Sequence, residues 1–137
     1  MKKFGAIETG GTKFVCAIGT ESGEIEKKIV IPTTTPDETM PQVIQFFTKE
    51  HKKHPLSGIG IACFGPIDIN KKSIHFGMIT TTPKLAWRNY DFYGVMKKHF
   101  SIPIAFDLDV NGSALGEQNW GNAKGCDTFI YMTVGTG

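Results

Sequence analysis

Apolar and polar positions along the chain change rhythm several times, and each change predicts an element. The first thirty residues read as strands. Phe4, Ala6 and Ile7 form a short apolar run that stops at Thr9-Gly10-Gly11-Thr12. Phe14 to Ile18 follows at once, and a third run, Ile25 to Ile31, comes after the polar turn Thr20-Glu21-Ser22-Gly23. Three apolar runs joined by short Gly-containing turns predict a three-stranded meander. The connections are too short for a crossover, so these strands should be antiparallel.

Helical spacing takes over after Thr33-Thr34-Thr35-Pro36. Two capping boxes compete, Thr35 with Pro36 and Glu38, and Thr39 with Gln42. Pro41 would remove a hydrogen bond from a helix begun at Thr35, so the main helix is expected near Thr39. Met40, Val43, Ile44 and Phe47 then share a face, and Pro55 stops the helix. Ile59 to Phe64 is a continuous apolar run ending at Gly65-Pro66, the pattern of a buried parallel strand. Residues 67–82 are mixed. Phe92 to Phe100 has Tyr93, Met96 and Phe100 at helical spacing. Pro103 to Leu108 reads as a second buried strand, Asp109 to Trp120 as a helix closed by Gly121, and Phe129 to Val134 as a last strand. The order is βββαβ, then αβαβ. Antiparallel strands followed by crossovers predict an α/β, ribonuclease-H-like (actin-like ATPase) domain: a mixed sheet with three antiparallel N-terminal strands and flanking helices.

Composition narrows the partners. The 137 residues suffice for one domain with a real core. Fifteen basic and 13 acidic side chains leave a formal charge of +2, too little to draw the chain onto nucleic acid or an anionic membrane. No apolar run is long enough to span a bilayer, and Glu8 and the glycines break up any signal-like N-terminus. Cys16, Cys63 and Cys126 are too few and too scattered for a disulfide framework, so a reduced, cytoplasmic setting is expected. The histidines at 51, 54, 75 and 99 show no metal-ligand spacing. Glycine is the unusual feature, at 16 of 137 residues.

Several of those glycines stand where strands end. In Glu8-Thr9-Gly10-Gly11-Thr12-Lys13, two glycines can take positive φ and turn their N–H groups toward one point, as in a phosphate-binding turn. Thr12 would add a hydroxyl, Lys13 a charge, and Glu8 could hold a metal-bound water. The alternative is a plain hairpin. Thr133-Val134-Gly135-Thr136-Gly137 repeats the theme. Asp107-Leu108-Asp109-Val110-Asn111 ends a strand and opens a helix. Asp109 there is either an ordinary N-cap or a carboxylate, kept ionised by the helix terminus, that accepts a hydroxyl proton. Asp107 points to the other face. Gly65, before Pro66, permits close approach at a strand end or merely terminates the strand. Trp87, after Thr82-Pro83-Lys84, is either a stacking surface or a core residue.

Taken together and in this order, IETGGTKF, FGPID, ITTTPKxxW, DVNxxALGE and TVGTG resemble the ROK family of sugar kinases and repressors, on the side of its bacterial fructokinases. The resemblance covers essentially the whole chain. It implies a two-domain, ATP- and Mg²⁺-dependent hexose kinase of which residues 1–137 are the N-terminal domain. ATP phosphates would meet Gly10, Gly11, Thr12, Lys13, Thr133, Gly135, Thr136 and Gly137. Asp109 falls on the family's catalytic aspartate, Gly65, Pro66 and Asn111 fall near its sugar pocket, and Glu8 is the candidate Mg²⁺ contact through water. Glu8 stands where the family usually has Asp, and Leu108 where it often has Asn. The family's zinc-binding His and Cys cluster would follow residue 137. The reaction expected is phosphorylation of fructose to fructose 6-phosphate. Another hexose kinase, or a non-catalytic actin-like module binding nucleotide or sugar, is the alternative. A repressor of the same family would need a DNA-reading helix-turn-helix ahead of the first glycine turn, and only nine residues precede Gly10. Small-molecule hexose and ATP are the expected partners, without nucleic acid or membrane, and a homodimer is the candidate assembly. The separated chain should be inactive.

Overall fold

The computed structural model describes residues 1–134. Three strands open it: β1 (Lys3–Thr9), β2 (Lys13–Thr20) and β3 (Ile25–Pro32). They form the antiparallel meander that the apolar runs predict, in register from Lys3–Thr20 to Thr9–Phe14 and from Lys13–Pro32 onward. Gly23 takes φ of 86° in the β2–β3 turn, a conformation that glycine adopts without Cβ strain.

Helix α1 (Pro36–Lys53) starts at Pro36, not near Thr39. Pro41 costs only one hydrogen bond, to the carbonyl of Asp37, which is exposed and open to water. Thr39 is fully buried inside the first turns. Its hydroxyl donates to the carbonyl of Pro32 at 3.0 Å and accepts the N–H of Thr34 at 3.1 Å. Those two bonds fix where the helix leaves the sheet. The face turned inward carries Met40, Val43, Phe46 and Phe47.

Strand β4 (Leu56–Cys63) runs parallel to β1, and β7 (Ile104–Leu108) runs parallel to β4. The sheet order is therefore β3-β2-β1-β4-β7. Between β4 and β7 the chain makes an excursion. It contains a small ribbon, β5 (Met78–Ile79) with β6 (Tyr90–Asp91), a 3₁₀ turn at Leu85–Trp87, and helix α2 (Phe92–His99). Among the described strands β7 lies at the edge. It is half exposed rather than buried throughout, with Phe106 as its buried residue.

One face of the sheet holds the core. Ile7, Phe14, Cys16, Ile59, Ile61, Cys63 and Phe106 pack with α1, α2 and the excursion. Gly5 makes room for this contact: a Cβ there would lie 2.7 Å from the Phe47 ring. Trp87 is buried, its indole 5.2 Å from Phe14 and 6.5 Å from Phe92, so it is a core residue rather than a ligand-stacking one.

The other face is covered only in part by α3 (Asp109–Trp120), which has no buried residue. The helix sits close through small residues, and a Cβ on Gly112 would lie 2.8 Å from that of Ala62. Beside it runs an open groove of about 600 Å³ floored by Ala6, Val15, Ala17, Gly60 and Ala105. The segment from Phe129 to Val134 is not a strand. Ile130, Met132 and Val134 are all more than three-quarters exposed. A strand needs a neighbour to take its N–H and C=O groups, and no described strand lies against this segment.

Thr39→Val should test the α1 anchor. Valine keeps the volume but strands the N–H of Thr34 and the carbonyl of Pro32. A loss of about 1–3 kcal/mol is expected in urea unfolding followed by Trp87 fluorescence, with an unchanged slope.

Candidate active site

The carboxyl ends of β1, β4 and β7 meet at one rim of the sheet, the usual place for a ligand in an open α/β sheet. Thr9, the last residue of β1, is 1% exposed, and its hydroxyl accepts the N–H of Phe64 at 2.9 Å. That bond ties the end of β1 to the end of β4. The glycine turn thus lies beside the Phe64-Gly65-Pro66 segment. The carbonyl of Pro66 accepts both the N–H and the hydroxyl of Thr80, at 2.8 and 3.1 Å, which holds the excursion beneath the rim.

The turn between β1 and β2 is held from outside. Gly10 N–H donates to the Lys13 carbonyl at 2.8 Å and closes it. Thr33 gives its hydroxyl to the Gly10 carbonyl at 2.9 Å and its N–H to the Thr12 carbonyl at 3.0 Å. The Lys84 ammonium donates to the Gly11 carbonyl at 2.6 Å. The carbonyls are occupied. Among the described residues, the N–H groups of Gly11 and Thr12 have no protein acceptor. Adjacent free N–H groups form an anion-binding concavity. Neither Gly10 nor Gly11 has positive φ, so the need for glycine is not the one expected from the sequence. A Cβ on Gly10 would lie 2.7 Å from the Lys13 carbonyl oxygen, whereas one on Gly11 meets only the end of the Lys84 side chain, at 3.2 Å.

Asp109 opens α3 at the end of β7. It is the first helical residue, and Leu108, in extended conformation, occupies the N-cap position expected for Asp109. One Asp109 oxygen accepts the N–H of Val110 at 2.9 Å. Its charge reaches the Cys63 thiol. Burial pushes that thiol up to about 12, the Thr9 hydroxyl pulls it down, and Asp109 raises it further. Cys16 is likewise pushed up to about 12 by burial.

Alternation along the strands separates the remaining candidates. Glu8 pairs with Val15 and lines the groove on the α3 side of the sheet, as does Asp107. Lys13, two residues before Val15, shares that face. Asp107 accepts the N–H of Leu108 at 2.7 Å and the Asn111 amide at 2.8 Å, so the Asn111 side chain is engaged by Asp107. The structure therefore brings Gly10, Gly11, Thr12, Gly65, Pro66 and Asp109 to one rim. Glu8, Lys13 and Asn111 lie toward the other face. Thr133 is exposed in the unpaired segment, while Gly135, Thr136 and Gly137 fall outside the described residues. Sequence reasoning passed over Lys84 and Thr33, which shape the turn from 73 and 23 positions away. Long-range partners of this kind leave no periodicity to read.

A five-stranded mixed sheet with a glycine turn and a helix-borne carboxylate at its carboxyl rim is an actin-like α/β architecture. The chain belongs to the ROK family, whose profile matches residues 4–137. It is 52% identical over 133 residues to a fructokinase of Pediococcus pentosaceus, covering 97% of this chain and 45% of that protein. A fructokinase of Streptococcus mutans is 47% identical over 137 residues, covering 99% of this chain and 45% of that protein. Among solved structures, a ROK family glucokinase from Streptomyces griseus in complex with glucose and AMPPNP superposes with a TM-score of 0.75. That match, at 21% identity, covers 90% of this chain and 38% of the other and shows a shared fold. The chain thus spans less than half the length of these relatives. No helix among the described residues is long and apolar enough to cross a membrane.

Two measurements check this geometry. Gly10→Ala should lower the thermal midpoint, because its Cβ meets backbone, while Gly11→Ala should leave it nearly unchanged. In thiol labelling at neutral pH, the exposed Cys126 should react at once. Cys16 and Cys63 should react only on unfolding, since both are buried and their thiolates form only near pH 12.

Proposed function

We propose that residues 1–137 form the N-terminal domain of a two-domain, ATP-dependent kinase that transfers the γ-phosphoryl group to the 6-hydroxyl of fructose. One observation carries this reading. A turn with two free N–H groups and a carboxylate at a helix start converge on one rim of the sheet. The chain around them is about half identical to fructokinases.

Each residue then has a task. Gly11 and Thr12 N–H groups donate to phosphate oxygens, with Gly10 shaping the turn and Lys13 adding charge from the neighbouring face. Thr133, Gly135, Thr136 and Gly137 would supply a second phosphate turn. Gly65 and Pro66 form the wall beside the sugar, and Asn111, through Asp107, borders the helix start. Asp109 orients the acceptor hydroxyl and takes its proton. Phosphoryl transfer passes through a loose transition state, so alignment and charge neutralisation count for more than base strength.

Mg²⁺ fits this donor set only as an ion carried by the nucleotide. Among the described residues, no three His, Cys, Asp or Glu side chains converge on a metal position. Mg²⁺ commonly takes one or two carboxylates plus phosphate oxygens and water, and Glu8 is the carboxylate next to the glycine turn. Bound there, the ion would neutralise phosphate charge. The open groove and the unpaired segment from Phe129 to Val134 are surfaces on which a second domain could pack.

The test is Asp109→Asn in the complete protein. Asparagine still accepts the Val110 N–H, so the fold should persist. With fructose as acceptor, kcat in a coupled ADP assay should fall by about 10²–10⁴, with little change in ATP affinity. Asp107→Asn is the matched control and should keep most activity. Loss at Asp107 but not at Asp109 would assign the base to the other face. Absence of sugar-dependent ADP release from the unaltered protein would favour the non-catalytic module.

A further inference from the structure

We propose that Lys84 is a phosphate-binding residue, supplying a positive charge to the glycine turn from the sugar side and contacting the terminal phosphate of the nucleotide. This assignment rests on the kinase reading above and adds a ligand contact to it.

Lys84 reaches the turn from the excursion, not from the strands that build it. Its ammonium donates to the Gly11 carbonyl at 2.6 Å and stands 6.0 Å over the Phe64 ring. It therefore lies between the phosphate turn and the strand end that carries Gly65. An ammonium has three N–H donors. The Gly11 carbonyl takes one, and no other protein acceptor among the described residues takes the rest. Lys84 is in none of the ion pairs among the described residues, which join Lys3 to Glu26 and Lys27 and Lys53 to Glu50. No ion pair among the described residues compensates its charge, and it stands at the carbonyl side of the Gly11–Thr12 peptide, one peptide width from the free Thr12 N–H. Lys13, on the other face of the sheet, does not duplicate it.

The stem of Lys84 is also fixed in advance. Its N–H donates to the hydroxyl of Thr82 at 3.3 Å, and Thr82 is 1% exposed. Its carbonyl accepts the N–H of buried Trp87 at 2.9 Å. The Thr82 carbonyl is held in turn by the Arg88 guanidinium at 2.7 Å. A lysine on a loop pinned at both ends loses less freedom when it binds an anion. The terminal phosphate is the one nearest the sugar, and Lys84 approaches from the Phe64 side.

The complete protein with Lys84→Met and Lys84→Arg decides the matter. Isothermal titration with ATP, ADP and fructose is the primary measurement, with steady-state kinetics and thermal midpoints beside it. Lys84→Met should bind ATP about tenfold or more weakly, the expected effect of losing one charged hydrogen bond. ADP should weaken less, fructose binding and the thermal midpoint should hold, and kcat should fall along with the rise in KM for ATP. Lys84→Arg should recover most of the ATP affinity. Wild-type ATP binding by Lys84→Met would overturn the assignment. So would equal weakening toward ATP, ADP and fructose together with a lowered midpoint, which is the signature of a structural tie alone. If the unaltered protein neither binds ATP nor phosphorylates a hexose, the kinase reading falls and this assignment with it. If it does both and Lys84→Met matches it, only the role of Lys84 falls.

Discussion

The burial of the Trp87 indole is the constraint on which the rim depends. The ring packs against Phe14 of β2 and Phe92 of α2, edge-on to Tyr90 and Phe64, and its N–H donates to the Thr34 carbonyl at 2.8 Å. A buried indole N–H without an acceptor would cost about 1–3 kcal/mol, so the bond fixes the ring's orientation as well as its depth. The excursion between Phe64 and Phe92 is anchored by this contact together with the Thr80–Pro66 bonds. Lys84 at the glycine turn is tied to it through the bond from the Trp87 N–H to the Lys84 carbonyl. The excursion has only two short strands of its own, and the aromatic cluster does the work that longer strands would do elsewhere.

The glycine turn between β1 and β2 illustrates how a surface loop can be held in place. Its carbonyls are drawn outward by Thr33 and Lys84, from two separate parts of the chain. Its N–H groups are left facing solvent by that arrangement rather than by an unusual backbone conformation. Under the proposed kinase reading, a site shaped in this way before its ligand arrives would need little reorganisation at the moment of transfer. The same economy holds at Asp109. The start of α3 places a partial positive charge beside the carboxylate before any substrate arrives.

Much of this was legible in the sequence. The meander, the parallel strands at Ile59 and Ile104, and the helix from Asp109 follow from apolar runs and from glycine and proline punctuation. What could not be read depended on contacts made elsewhere. The start of α1 was set by the burial of the Thr39 hydroxyl, which outweighed the penalty at Pro41. The strand expected at Phe129 has suitable side chains but no neighbour. The glycines at 10 and 11 stand at a tight turn as the sequence implies, yet neither has positive φ, and at Gly10 the need for glycine is the closeness of the Lys13 carbonyl. The rim carboxylate was visible because a strand end and a helix start meet there. Lys84 stands within the ITTTPKxxW motif, but nothing local in the sequence shows a lysine reaching a turn 73 residues earlier.

The end of β7 at Leu108 sends Asp107 and Asp109 to different surroundings: Asp107, still in the strand, lies against the amide of Asn111 in the groove, and Asp109, the first residue of α3, is close enough to charge the field at Cys63. The sheet works as a partition, and its pairing scheme decides which compartment Asp107 enters. β7 has one described neighbour, and only the ladder from Ile59–Ile104 to Cys63–Leu108 sets its register. A slip of one residue would turn Phe106 out of the core and move a carboxylate into it. The penalty for burying that charge guards the chemistry of the rim, so the same interaction that selects the fold also proofreads the position of the acid groups.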